Sequence, residues 1–277
     1  MRTSRSITAL AFSTCTVLTL AGCSDGSVPT AEGAEMAGHD HGVTTLYGPE
    51  NELGEGISRA YIVVDYGGRP REVGIRMSES VLTGLPEGPG AGTTMLMPAL
   101  PAGAPDTGSD HVMLGWNPNG HDPEILYGAP HFDMHFYTTD ADHEVDPAAP
   151  DFAARAARLP EPEYVPEGYI PPPGPPVENT VPFMGMHWTG TADDVIPGSF
   201  EFTEVLLNGS WDGEFIFIEP MMTREWLATK PSLREIVKQP SSYRRTGYYP
   251  TVYTVDFDEQ AGEYVVALSG LTMREAS

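Results

Sequence analysis

Between Pro130 and Tyr137 the chain reads Pro-His-Phe-Asp-Met-His-Phe-Tyr. Side chains alternate faces along a strand, so His131, Asp133, His135 and Tyr137 share one face and Phe132, Met134 and Phe136 the other. The second set belongs in a core. Two imidazoles, a carboxylate and a phenol are costly to line up away from water unless they meet each other or a cation. Imidazole with carboxylate is a donor set of borderline and hard divalent ions.

Spacing limits what one strand can do. Positions two apart are about 7 Å apart and positions four apart about 13 Å. His131 and His135 therefore do not share an ion on a straight strand, whereas Asp133 and His135 can, and further ligands must come from elsewhere. In Phe183-Met-Gly-Met-His-Trp188, alternation turns His187 away from Met186 and Trp188, with Gly185 leaving room beside it. In Phe215-Ile-Phe-Ile-Glu-Pro-Met221, Glu219 ends an apolar run, where a carboxylate is expected to ligate, to pair, or to accept a proton as a general base. His121, in a loop before the histidine strand, can cover the same face.

The expected site draws on His121, His131, His135, His187 and Glu219. His135 and His187 are its first ligands, with Asp133 and Tyr137 beside them. Zinc is the first choice of ion, with copper, nickel, manganese and iron open. A competing reading uses the same residues without an ion: hydrogen-bonded strand histidines, Asp133 orienting His131 or His135, and Glu219 paired with Arg224. His111, at a strand start, and His143, in an acidic loop, read as ordinary histidines, and His39 and His41 as part of a spacer.

Short β-prone runs must position these residues. They fall at 59–66, 71–77, 111–116, 132–138, 184–189, 200–207, 214–219, 251–257 and 264–268. Turn residues separate them at Gly67-Gly68-Arg69-Pro70, Asn208–Gly213 and Asp258–Gly262. Helical stretches are few: 223–228, 231–238 and a turn near Arg155 and Arg158. The fold class is mainly β, an antiparallel sandwich or barrel with a few short helices. Residues 160–176 are proline-dense and read as a loop wrapping one domain, anchored by Tyr164, Val165, Tyr169 and Ile170.

Of 277 residues, 39 are Asp or Glu and 15 Lys or Arg, a net charge of -24 that repels nucleic-acid phosphates and excludes a nucleic-acid partner. Arg2 and Arg5 precede an apolar run, Ile7 to Leu20, in the order of an export signal. The run ends Leu-Ala-Gly-Cys23, which resembles the lipobox of bacterial lipoproteins and implies cleavage before Cys23 and its lipidation. Residues 1–22 then read as signal, 23–55 as a flexible tether and 56–277 as a single β-rich domain. The expected location is outside the cytoplasm, on a membrane through Cys23. Cys15 leaves with the signal, so neither a disulfide nor a thiol nucleophile is expected in the domain. No phosphate-binding, dinucleotide or Gly-x-Ser-x-Gly motif occurs.

Four segments, Trp116–Pro123, Pro130–Tyr137, Met184–Trp188 and Phe217–Met221, resemble a family of exported bacterial β proteins known only as a domain of unknown function. The resemblance spans about 53–273 and implies a mainly β fold with a shared histidine site, without a reaction. Cupins are a looser analogy, since their His-x-His is Asp133-x-His135 here. Two functions follow as expectations: a lipid-anchored metal protein, with metal-assisted hydrolysis or redox chemistry open to it, or a non-catalytic protein binding a small ligand or assembling into a homo-oligomer.

Overall fold

The computed structural model describes residues 42–191 and 195–277, without the side chains of 142 and 143. The signal, Cys23, His39 and His41, and the side chain of His143, lie outside the described residues. The strands are β1 (Val43–Tyr47), β2 (Asn51–Leu53), β3 (Gly56–Asp65), β4 (Pro70–Ser78), β5 (Thr94–Leu96), β6 (His111–Asn117), β7 (His131–Tyr137), β8 (Tyr169–Ile170) and β9 (Thr180–Val181). They continue with β10 (Gly185–Gly190), β11 (Glu204–Trp211), β12 (Glu214–Thr223), β13 (Leu233–Ile236), β14 (Gly247–Tyr249), β15 (Val252–Asp258), β16 (Glu263–Ser269) and β17 (Thr272–Arg274).

Two antiparallel sheets pack face to face, and among the described residues neither closes into a barrel. The first runs β1-β3-β4-β16-β15-β13, with β2 on β3; the second runs β5-β6-β7-β12-β11-β10-β8, with β9 on β10. The core between them takes Ile62, Ile75, Val255 and Val266 from the first sheet and Leu114, Phe132, Met134 and Phe136 from the second. Each such side chain contributes about 1.5–3 kcal/mol by leaving water. The β11–β12 hairpin turns on Asp212 and Gly213, at φ 53° and 83°. Two consecutive positive φ values give the reversed turn that matches strand twist, and Asp-Gly is the dipeptide suited to it.

Four differences from the sequence reading have physical causes. The first sheet starts at Val43, inside the stretch expected to be tether, because β1 pairs with the whole outer half of β3. Residues 233–236, expected as helix, form β13, paired along β15; sheet pairing overrides a weak local helix preference. β11 begins at Glu204, not at Phe200, and Phe200 and Phe202 instead fold over Tyr127. In the proline-rich loop, Tyr169 is an anchor, its hydroxyl donating to the Leu206 carbonyl at 2.9 Å, while Ile170 is exposed.

Register sets the site on the second sheet's outer face. Across β6 and β7, His111 opposes Tyr137, Met113 opposes His135, Gly115 opposes Asp133 and Asn117 opposes His131. Across β7 and β12, Phe217 opposes Tyr137 and Met221 opposes Asp133, a register that carries Glu219 to His135. Gly209 sits opposite both Phe217 on β12 and His187 on β10. This face is not solvated: every residue of β7 is buried. Tyr127, Phe200 and Phe202 cover one end and Val145, Phe152 and Ala156 the other.

Candidate metal centre

The polar face of β7 divides into two triads. His121, His131 and Asp133 form one; His135, His187 and Glu219 form the other; in each, one ligand atom per residue lies within 4.8 Å of the others. Both could hold a metal ion. The structure thus brings together all five expected ligands and Asp133, but in two groups, and it separates Asp133 from His135, the pair that spacing alone allowed on one ion. Tyr137 lies against the second triad, its ring stacked on His135 at 5.4 Å and 6°.

In the first triad, His131 Nε2 is 2.9 Å from Asp133 Oδ1 and His121 Nε2 is 3.6 Å from Asp133 Oδ2. Neither approach has hydrogen-bond geometry, and Oδ1 has no hydrogen-bond partner. Nδ1 of His131 donates to the Ala129 carbonyl at 2.7 Å and Nδ1 of His121 to the Asp122 carbonyl at 2.9 Å. With those protons committed, a neutral ring turns its Nε2 lone pair inward, the arrangement that outer-shell carbonyls give metal-ligating histidines. Asn117 donates from Nδ2 to Asp133 Oδ2 at 2.6 Å, and Thr93 Oγ1 holds the Asn117 carbonyl oxygen at 2.8 Å.

Charge in this triad is largely compensated. Burial alone would raise the Asp133 carboxyl, but the pull of His121 and His131 outweighs it and holds it far below the usual carboxylate range. Burial works against a proton on His121, yet Asp133 wins and the imidazole is raised. His121 keeps an exposed side chain, 39% accessible, so this triad reaches solvent. His131 is fully enclosed, with Phe202 at its ring edge 5.1 Å away.

The second triad is drier. His135 Nε2 is 3.2 Å from Glu219 Oε1 and His187 Nε2 is 3.3 Å from Glu219 Oε2. These contacts too miss hydrogen-bond geometry: both ring nitrogens of His135 and Oε2 of Glu219 are buried without a partner. His135 and Glu219 are 1% exposed. Burial first, then the His187 ring, lowers His135 to about 3. Burial lowers His187 to about 4, partly offset by the charge of Asp133, and 23% of its side chain remains accessible. Both rings are thus held neutral, the ligating form. Burial, followed by the charge of Asp133, pushes the Glu219 carboxyl well above its ordinary value.

Phe217 walls this triad, 4.9 Å from the His135 ring and 5.0 Å from that of His187. It can do so because Gly209 has no side chain: a Cβ there would lie 1.8 Å from the Phe217 ring. Arg224 does not pair with Glu219; it binds Glu87 and the Leu82 carbonyl. His111 stacks on Tyr137 at 4.7 Å, an edge to the site that its place at a strand start concealed. Asn117 was the polar residue missed. Strand alternation ending at Trp116-Asn117 is the signal that would have found it, but the cross-strand register was needed to set it beside His131.

Residues 65–116 match the family model described as TTHB210-like, hypothetical protein TTHB210. The match supports an uncharacterised family; it covers β4 to β6 and stops before His121. No curated protein and no solved structure matches the chain.

Proposed function

We propose that this is an exported, lipid-anchored metalloprotein whose principal divalent ion, zinc, is held by His135, His187 and Glu219. The observation that carries the reading is the pair of buried, partnerless ligand atoms, Nε2 of His135 and Oε2 of Glu219, which a cation between them would satisfy. The spacing supports it. Two ligands about 2.1 Å from one ion at a tetrahedral angle are about 3.4 Å apart, close to the 3.2 Å from His135 Nε2 to Glu219 Oε1 and the 3.3 Å from His187 Nε2 to the other oxygen, Oε2. Three protein ligands leave a fourth position for water or substrate, where zinc acts as a Lewis acid. Access is from the His187 side, where 23% of that side chain remains accessible.

The neighbouring triad is assigned as a second, weaker site. Its carbonyl-held Nδ1 atoms favour an ion, while Asn117 on the carboxylate and the raised imidazole of His121 compete with one. The test is elemental analysis of the full chain purified without a histidine tag. Zinc near one equivalent, lost in a His135→Ala/His187→Ala variant that still folds, is the expected result. No metal after reconstitution with zinc, copper, nickel, manganese and iron would sink the reading and leave the non-catalytic alternative. The anchor rests on the Leu20-Ala-Gly-Cys23 motif: labelled palmitate should enter the wild type and not Cys23→Ser, and equal labelling of both would refute it.

A further inference from the structure

A cavity of about 500 Å³ opens between the two sheets; no triad residue lines it, although Phe217, the wall of the second triad, does. Its floor includes Phe136, Ile218 and Asn208 from the second sheet, with Val73 and Leu268 from the first. The size is that of small-molecule sites, which fall at about 300–1,000 Å³. Asn208 is 4% exposed, and its amide Nδ2 has no hydrogen-bond partner. A buried donor of this kind is costly unless something accepts from it.

Two features of the lining define what would. Its charged residues are Asp106, Asp110 and Glu214 against Lys238, Arg244 and Arg245, so the cavity is formally neutral in a chain of net charge -24. Arg244 is tied to Glu161 at 3.2 Å and lies over the Tyr164 ring at 4.3 Å, and Arg245 is tied to Glu214 at 2.5 Å. Each guanidinium is thus charge-paired, and the third cation of the lining, Lys238, is exposed to solvent. Two of the lining tyrosine hydroxyls donate within the protein, Tyr243 to Gln239 Oε1 and Tyr249 to the Arg245 carbonyl, each at 2.9 Å. Tyr243 and Tyr249 already pack on each other at 4.5 Å, so what the lining offers a ligand is the apolar surface of Phe136, Ile218 and Leu268 around one unmet donor.

We propose that this cavity binds a small, neutral carbonyl compound, its apolar part against Phe136, Ile218 and Leu268 and its oxygen accepting from Asn208 Nδ2. The inference is independent of the metal reading. The probe is 6-propionyl-2-dimethylaminonaphthalene, a neutral aryl ketone whose emission shifts to the blue on leaving water, titrated into the full-length protein. Saturable binding of one probe per chain is expected. Asn208→Leu should weaken it about tenfold while raising the thermal midpoint of the free protein, because it removes a partnerless amide. Gly247→Trp should block it; Gly247 lines the cavity, and a Cβ there meets nothing within 4 Å. Thermal unfolding checks each variant, and Gly247→Trp carries the test if Asn208→Leu does not fold. No saturable binding, or unchanged affinity in either folded variant, overturns the proposal.

Discussion

The two triads contain the same chemistry, two imidazoles and one carboxylate, hung from the same strand, yet the protein supports them in opposite ways. Around Asp133 every partner is polar: Asn117 donates to the carboxylate, and backbone carbonyls fix both imidazoles. In the other triad the rings of Tyr137 and Phe217 flank His135, and its buried nitrogens and Oε2 of Glu219 go unmet. A carboxylate supplied with donors and an imidazolium is charge-compensated from within. One left unmet beside neutral imidazoles needs a cation from outside. Residue type alone does not make a metal site; the second layer decides how strongly an ion is wanted.

The sharpest way to break this contrast is to remove ligands from each triad in turn. His135→Ala/His187→Ala should weaken zinc binding by at least about 100-fold, since even outer-shell changes cost 10–100-fold. His121→Ala should leave the tighter of two calorimetric steps in place and abolish the weaker. Retention of the tight step in the first variant, with its loss in the second, would reverse the assignment.

A smaller effect separates the triads without metal. Asn117→Leu strips the donor from a buried carboxylate, and an unsatisfied buried partner costs about 1–3 kcal/mol. Urea unfolding of the metal-free protein should show a loss near 2 kcal/mol, with the tight zinc step unchanged. A loss under about 0.5 kcal/mol would mean that Asp133 does not depend on internal donors.

The contrast also explains what the sequence could and could not reveal. Alternation along Pro130–Tyr137 was sufficient to place His131, Asp133 and His135 on one face and the Phe and Met side chains in the core, because period-two patterning is a local property. The same logic singled out Glu219 at the end of an apolar run. Division into two triads was not legible, because it depends on which strands are neighbours: β12 beside β7 brings Glu219 to His135, and the loop after β6 brings His121 to Asp133. The strand over 233–236 was missed for the same reason, since its pairing with β15 is non-local. Gly209 carried no signal until the Phe217 ring was seen lying over it.

Protonation gives the next contrast, of about 1.4 kcal/mol per pH unit. His135 and His187 are held by burial to about 3 and about 4, against about 6.5 in an unfolded chain. Below pH 6.5 the unfolded state therefore binds two protons that the folded state refuses, and stability falls as pH falls. Glu219, raised by burial, works in the other direction, taking one proton in the folded state while still ionised in the unfolded one. The net difference is up to one proton between pH 6.5 and about 4.5, or about 1.4 kcal/mol per unit. His121, raised by Asp133, makes its contribution in full below 6.5 and leaves this slope alone. Urea midpoints of the metal-free protein and of its His135→Ala/His187→Ala variant at pH 6.5, 5.5 and 4.5 separate it from other shifted carboxyls such as Glu72; equal slopes in the two would show that the second triad is not dry.

The smallest change tests whether the polar support of the first triad is an organised chain. Thr93 Oγ1 donates to Asn117 Oδ1 at 2.8 Å, and Asn117 Nδ2 in turn donates to Asp133 Oδ2 at 2.6 Å. The threonine never touches Asp133. It fixes which way the amide faces, and an amide turned over would set its oxygen against the carboxylate. Thr93→Val keeps the shape and removes the donor, at a cost of about 0.5–1.5 kcal/mol for one hydrogen bond. If orientation is what Thr93 supplies, the Thr93→Val/Asn117→Leu double variant should be no less stable than Asn117→Leu alone, because the amide to be oriented is already gone. Additive losses would instead give Thr93 a packing role of its own, and the support of Asp133 would then rest on Asn117 and the two imidazoles alone.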